Sequence, residues 1–552
     1  MAFAQPVPNP GSPLPGILQP TAPSVAPPLP PPPPVAATPV NPDVTVAVQD
    51  VSVEDATAYP AAALLALASG LTGRSVQAAR IEAARVAILN RYRADGFVYT
   101  TVDARIHAGH LRFIVTEGHI VDIKLEGHIG PAGTQVLRFL RHLTTIRPID
   151  TKSLERWLLL AGDVPGVTVT AVLNPSAEDP GALTLVAQLS RRAVTGQVSA
   201  DNRGFGQTGP EEGLLLIDLN SFTSLGERTE FSIFHTSNDT ETFGQASEEF
   251  FIGGSGLRLK LYGGAGDTTP SGSLRAIGYN GFTRVFGAQF SYPWIRSRQQ
   301  TLNLTAAFDG VESHVQTSTG LFGSAHTSFD SLRVLGIGAD YSGLDVFAGA
   351  ARPATDLASL HLSQGLTTLG ASPNGDPSAS VLGEKINFTR LTGEADRTQS
   401  LFAPYQGGNL ALKLGATGQY SPDVLPSAEK FYLGGPHFGR GFYYGQVTGD
   451  SALETTLEPL LDTVVPAPKF VSLPLAAQFY GFYDWGETWQ STALEQNHVI
   501  RSLGAGVRFF AGNRVEVDLE GADRLTRSPN GAPPEVSRLK SAIFYWQILG
   551  HF

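Results

Sequence analysis

The chain has no cysteine and a single methionine in 552 residues. A disulfide framework, a thiolate metal site and a cysteine nucleophile are therefore excluded. Charge is scarce as well: 16% of the residues are Asp, Glu, Lys or Arg, and the net charge is -11. That balance argues against a nucleic-acid partner, which needs a basic patch to displace counterions. No run of about eighteen apolar residues occurs, so no transmembrane helix is available. A membrane-spanning β-barrel stays open, because its signal per segment is far weaker. HExxH, GxSxG and a Walker lysine are all missing. Gly336-Ile337-Gly338 and Gly504-Ala505-Gly506 are fragments of a dinucleotide loop without its third glycine, and both sit in strand-like alternation. They read as small residues on the face of a strand. The twelve histidines lack metal-ligand spacing, and His107, His110 and His119 read as a solvated hairpin rather than a zinc site. The sequence thus reads as a non-enzyme with no cofactor and no metal.

What the chain does have is Gly (60), Phe (30) and Tyr (15). Low charge with many glycines and aromatics favours a β-rich protein with much surface turned away from bulk water. At the start, Ala2-Phe3-Ala4 before Gln5 has the small-x-small form of a signal-peptide cleavage site, so the mature chain is expected to begin near Gln5. Residues 5–43 hold 16 prolines. The run PPLPPPPP at 27–34 is expected to form polyproline II, a spacer of roughly 25 Å at about 3.1 Å per residue. It reads as a tether; the alternatives are a disordered tail and a ligand for a partner.

Residues 44–192 change character. DVTVAVQDVSV alternates like a strand, YPAAALLALASG has Pro60 at a helix start and Gly70 at its end, and RSVQAARIEAARVAILNRYRADG puts Ile81, Ala84, Ile88 and Tyr92 on one helical face. FVYTTVDARIHAGHLRFIVTEG then reads as a hairpin. The order β-α-α-β-β recurs in IVDIKLEG, GTQVLRFLRHL, DTKSLERWLLLAG, VTVTAVLNP and ALTLVAQLS. Two copies of a unit of about 75 residues, meeting at Gly118, form an internal repeat. Each copy leaves a sheet edge open to a partner strand.

Residues 193–552 carry two-fold alternation instead. Val515, Val517 and Leu519 oppose Arg514, Glu516, Asp518 and Glu520; Leu257, Leu259 and Leu261 oppose Arg258 and Lys260. Leu503, Ala505, Val507 and Phe509 oppose Gly504, Gly506 and Arg508, and TLNLTAAF repeats the pattern. A sandwich alternates in the same way. Two features favour a barrel in lipid. The alternation continues for about 360 residues, and the chain ends AIFYWQILGHF, with Phe544, Trp546, Ile548, Gly550 and Phe552 on one face. At about 22 residues per strand and loop, roughly sixteen strands are expected. Closure satisfies every backbone hydrogen bond, as lipid demands. The expected fold is α+β periplasmic repeats followed by an all-β transmembrane barrel of antiparallel strands.

Five segments, in order, resemble the TpsB transporters of two-partner secretion. They are NRYRADGFVYTTVDARIHAGHLRFIVTEG, SLERWLLLAGDVPGVTVTAVLNP with Asp163, Pro165 and Gly166, DNRGFGQTG, SYPWIRSRQQTLNLTAAFDG and LHLSQGLTTLGAS. The resemblance covers residues from about 44 to the C-terminus. It implies POTRA domains at 44–118 and 119–192 and a barrel at 193–552. It implies a loop around 433–450, LGGPHFGRGFYYGQVTGD, that folds back into the lumen. Its tip, Gly439-Arg440-Gly441-Phe442, stands where the family has VRGY, and Arg440 is expected to pair with Asp484, two residues before Gly486, on the inner wall. Gly439 replaces the family's valine, so a looser tip is expected. The family often plugs its barrel with an N-terminal helix, which the proline-rich start does not fit. The implied activity is export of a large TpsA-like exoprotein across the outer membrane, captured by periplasmic POTRA domains and threaded without ATP. The implied partners are that exoprotein, outer-membrane lipid and the barrel assembly machinery, for a monomer. A barrel assembly factor of the BamA or TamA type and a porin-like uptake channel are the alternatives.

Overall fold

The computed structural model describes residues 29–32, 44–127, 129–176, 179–318, 325–466, 474–529 and 538–552. The expected cleavage site and most of the proline run lie outside these residues. Two α+β units precede a barrel. The first contains β1 (Thr45–Val48), β2 (Asp50–Glu54), helix α1 (Ala61–Leu65), β3 (Gly73–Gln77), helix α2 (Ala78–Ala94), β4 (Thr101–His107) and β5 (His110–Thr116). The second contains β6 (His119–Glu126), α3 (Ala132–Leu140), α4 (Thr151–Gly162), β7 (Val167–Pro175) and β8 (Ala182–Arg191).

The sheets share one topology. In the order β2-β5-β4 the central β5 is parallel to β2 and antiparallel to β4, and in β6-β8-β7 the central β8 is parallel to β6 and antiparallel to β7. The expected β-α-α-β-β order holds in the second unit and needs correction in the first. There DVTVAVQDVSV breaks into β1 and β2, and residues expected to begin the long helix form β3, which pairs with β1. The β-branched Val76 is buried on that small sheet, and helical periodicity begins only at Ala78. From there Ile81, Ala84, Ile88 and Tyr92 are all buried, as their spacing requires.

The Glu-Gly that closes the first unit has a clear structural task. The Glu117 carboxylate accepts hydrogen bonds from the Thr57 and Ala58 amides, the Thr57 hydroxyl and the Tyr92 hydroxyl. It ties the loop before α1 to α2 and to the end of β5. His110 pairs with Asp50 at 2.5 Å across the edge of the same sheet.

The barrel runs β9 (Val194–Asp201), β10 (Glu212–Asn220), β11 (Arg228–Thr236), β12 (Glu241–Phe251), β13 (Arg258–Thr268), a short helix α5 (Gly272–Ala276), β14 (Asn280–Arg296), β15 (Gln300–Thr317), β16 (His326–Asp345), β17 (Ala354–Gly365), β18 (Thr389–Phe402) and β19 (Gly408–Tyr420). A small hairpin, β20 (Phe431–Leu433) and β21 (Val447–Gly449), stands apart from the wall. The wall resumes with β22 (Ser451–Val465), β23 (Leu475–Trp489), β24 (His498–Ala511), β25 (Val515–Arg524) and β26 (Ala542–His551). Sixteen antiparallel strands close when β26 pairs with β9, Gln547 opposite Asp201 and His551 opposite Gln197.

The alternation is inverted relative to a soluble sandwich. Val515, Leu519, Leu503 and Phe509 are exposed on the outer face, whereas Asp518 and Glu520 are buried inside. On β26, Phe544, Ile548 and Phe552 face outward while Tyr545, Gln547 and Leu549 are buried. Trp546 and Gly550 share the outward face by their even spacing with these residues. The DNR of the first hairpin secures closure: Asn202 donates to the Phe544 carbonyl (3.1 Å) and accepts from the Trp546 amide (2.8 Å). Among the described residues no helix is long and apolar enough to cross a membrane, so the outward apolar band belongs to strands.

The second unit is fastened to one end of the barrel. Phe251 of β12 enters its core, ring edge to ring face with Phe139 at 5.1 Å. Arg296 grips Asp163 with Nε at 2.8 Å and Nη2 at 2.6 Å. Glu155 accepts from the Arg298 amide, and the Pro165 carbonyl accepts from Ser221 (2.8 Å). Two segments singled out in the sequence, GDVPG and SYPWIRSRQQ, therefore meet each other here.

Candidate functional site

The loop between β19 and β22 enters the lumen, and its tip carries Arg440. The side chain is 1% exposed. An arginine withdrawn this far from water needs its planar fork filled by acceptors. Asp484 on β23 fills most of it: Oδ2 accepts from Nε (3.0 Å) and Oδ1 from Nη2 (2.9 Å). The Arg440 amide adds a third bond to Oδ2 (2.8 Å), and the Thr456 hydroxyl a fourth to Oδ1 (2.7 Å). A carboxylate offers about four lone-pair sites, so Asp484 is saturated. Nη2 also reaches the Thr456 hydroxyl (2.7 Å), and Nη1 pairs with Glu458.

Below the guanidinium lies the Phe482 ring, its centroid 3.8 Å from Cζ. Arg508 sits likewise 4.0 Å from the centroid of Tyr480. These rings occupy the places where Cβ atoms of Gly504 and Gly506 would stand, since a Cβ at either position would collide with Phe482 or Tyr480. The Gly504-Ala505-Gly506 fragment is thus a shelf for two aromatic rings that hold two arginines. From Arg440 the polar contacts extend along the inner wall. Glu458 also accepts from Arg508 (3.0 Å), the Tyr480 hydroxyl lies within reach of Asp518 (2.7 Å) and Glu520 (3.0 Å), and Glu520 pairs with Arg203 (3.2 Å).

The rest of the tip is held as closely. Gly441 donates to Ser502 (3.1 Å), and its carbonyl accepts from Arg524. Phe442 is buried with Leu433, Val447, Ala452 and Ile500. Gly486 lies beneath the loop, where a Cβ would come within 3.0 Å of Leu433 and Glu454. The expected loosening at Gly439 is not what the structure has. Gly439 takes φ +61, and a Cβ there would lie 2.8 Å from Glu454 and 3.0 Å from Ile500 and Gly434. Glycine is what this packed, left-handed turn requires.

The structure brings the four tip residues, Asp484 and Gly486 together. The C-terminal residues Phe544, Trp546, Ile548 and Phe552 lie apart, on the outer surface. Thr456, Glu458, Phe482, Arg508, Glu520 and Arg203 were missed. A signal was present on β22, where Glu454, Thr456 and Glu458 alternate with the outward Leu453 and Leu457. In the segment LHLSQGLTTLGAS, Leu360–Gly365 complete β17, and the residues that follow stay hydrogen-bonded to β16. The Ser331 hydroxyl donates to the Gly370 carbonyl (2.9 Å), and the Ser331 amide donates to Ser372 (3.0 Å).

A closed sixteen-stranded barrel with an arginine-tipped loop in its lumen, carried on tandem α+β units, defines a POTRA-bearing outer-membrane barrel. Its family follows from two matches. A model of the haemolysin secretion/activation protein ShlB/FhaC/HecB matches residues 182–509, more than half of the chain, and one of the ShlB-type POTRA domain matches residues 46–118. The chain belongs to the ShlB/FhaC/HecB family of haemolysin secretion/activation proteins. Among solved structures, CdiB from Escherichia coli is similar with a TM-score of 0.70 at 17% identity, over 94% of each chain. CdiB from Acinetobacter baumannii is similar at 0.61 and 16% identity, over 100% of this chain and 95% of its own. BamA from Haemophilus ducreyi lacking POTRA domains 1-3 is more distant, at 0.53 and 13% identity, over 92% of this chain and all of its own. No curated protein sequence matches. The barrel lies in the outer membrane and the POTRA region in the periplasm, the arrangement of a secretion channel.

Proposed function

We propose that this chain is the outer-membrane pore that exports one large partner exoprotein of the haemolysin, haemagglutinin or adhesin type. Residues 44–118 and 119–192 act as two POTRA domains that receive the unfolded client, and residues 193–552 form the conduit. No ATP is used; folding of the client outside and prevention of backsliding drive transport. The observation that carries this reading is the family membership joined to the buried Arg440–Asp484 pair. The loop tip lies in the path a client would take, so transport requires it to move or to share the lumen, and the pair is the lock. Removing one partner of a buried pair costs about 3–5 kcal/mol, enough to change the loop's resting position.

Deletion of the gene followed by a survey of secreted and outer-membrane proteins tests the function. Loss of a single large secreted protein is expected. A general loss of barrels points instead to an assembly factor, and unchanged protein profiles with altered uptake to a porin. Arg440→Ala and Asp484→Ala should each impair secretion while leaving barrel insertion intact. Normal export by both variants removes the lock.

A further inference from the structure

The proline-rich segment is the sequence feature that a secretion pore leaves without a task. Part of it is not in solvent. Pro30 is buried, and its carbonyl accepts a 2.8 Å hydrogen bond from the Tyr99 hydroxyl. Leu29 packs on the hydrophobic core of the second repeat, while Pro31 and Pro32 are exposed. Tyr99 comes from the first repeat, in the turn between α2 and β4, yet it is 5% exposed and lies in the core of the second. Backbone bonds join the repeats around it. Thr151 donates to the Gly96 carbonyl at 3.0 Å and Ile149 to the Gly118 carbonyl at 2.8 Å. Burial pushes the Tyr99 phenol up to about 12, so the hydroxyl remains a donor at neutral pH.

An apolar anchor, a buried prolyl ring and one carbonyl held by an aromatic hydroxyl are the elements by which grooves grip extended proline-rich peptides. Such a peptide has no internal hydrogen bonds, so its carbonyls are free to accept, and it loses little entropy when bound. We propose that the junction between the two repeats is a docking site for an extended Leu-Pro peptide, filled in cis by residues 29–32 of this chain, which thereby fix the angle between the repeats. The site stands whether or not the barrel exports a partner.

The test uses the full-length protein in detergent and a fluorescent peptide of residues 24–36, SVAPPLPPPPPVA. A tethered occupant competes at an effective concentration of about millimolar. Leu29→Asp releases it, and this variant should bind the peptide about tenfold more tightly than the unmodified protein. Adding Tyr99→Phe should weaken that binding several-fold, and a peptide with aspartate in place of its leucine should not bind. The absence of native cysteine permits a second readout. Spin labels at Asp103→Cys and Arg141→Cys report the distance between repeats, which should broaden on Leu29→Asp. Equal peptide affinity with and without Leu29→Asp, binding that ignores the peptide's leucine, or an unchanged distance distribution would each overturn the proposal.

Discussion

Two Arg–Asp pairs join separate parts of this molecule, and they differ in their surroundings. Arg296 and Asp163 join the second repeat to the barrel with side chains 12% and 21% exposed. Arg440 and Asp484 join the loop tip to the wall with side chains 1% and 0% exposed. Both pairs are bidentate, with nearly the same geometry. The first can exchange its partner for water. The second cannot, and it is further bound to Thr456, Glu458 and the Phe482 face. The bond itself is therefore common to a structural seam and a lock; burial and the number of added partners separate them.

Double-mutant cycles measure this difference directly. The Arg440→Ala and Asp484→Ala cycle should show the largest coupling. Each single change should cost about 3–5 kcal/mol at the tip and make residues 433–450 accessible to protease from outside. Gly439→Val should come next. Forcing a left-handed β-branched residue costs about 1–2 kcal/mol before any collision with Glu454 and Ile500, and secretion should fall without loss of the folded barrel. Arg296→Ala should cost less, about 1–3 kcal/mol, between the ranges of exposed and buried pairs. It should appear as faster hydrogen exchange in α4 and unchanged exchange at the tip. Equal coupling in the two cycles would sink the comparison.

The smallest effect is expected at Glu117. Burial raises its pKa, but bonds from Ala58, Thr57 and Tyr92 outweigh this and leave it below the usual 4.5. A carboxyl lowered in the folded state stabilises fully above about 4.5 and loses that contribution as pH falls through its folded value. Acid unfolding of the first repeat should therefore be less steep in Glu117→Gln, measured by circular dichroism between pH 3 and pH 6 (an assay range of about three units). An identical pH profile would remove Glu117 from its role as the loop's tie.

Much of this molecule was legible in its residues. The alternation of VEVDLE assigned its two faces, because period-two patterns do so whatever the strand pairs with, and the length of the alternating region with the shared face of AIFYWQILGHF favoured a barrel over a sandwich. The helical face of Ile81, Ala84, Ile88 and Tyr92 was equally local. Strand β3 was not legible, since SVQ before a helix has no period of its own and becomes a strand only by pairing with β1. The Arg440–Asp484 pair was reached by resemblance alone, because 44 residues separate the partners and no periodicity connects them. Glu458, Phe482 and Arg508 were absent from that resemblance, although alternation marked the strand of Arg508.

Sequence determined the faces: which residues meet lipid, which line the lumen, and that two α+β repeats precede them. Tertiary structure alone decided that the glycine before Arg440 tightens the tip rather than loosening it. The reason is steric. A glycine's freedom becomes rigidity when Glu454, Ile500 and Gly434 occupy the space a side chain would need; Gly434 belongs to the same loop, but Glu454 and Ile500 come from β22 and β24, which meet the tip only when the loop folds into the barrel.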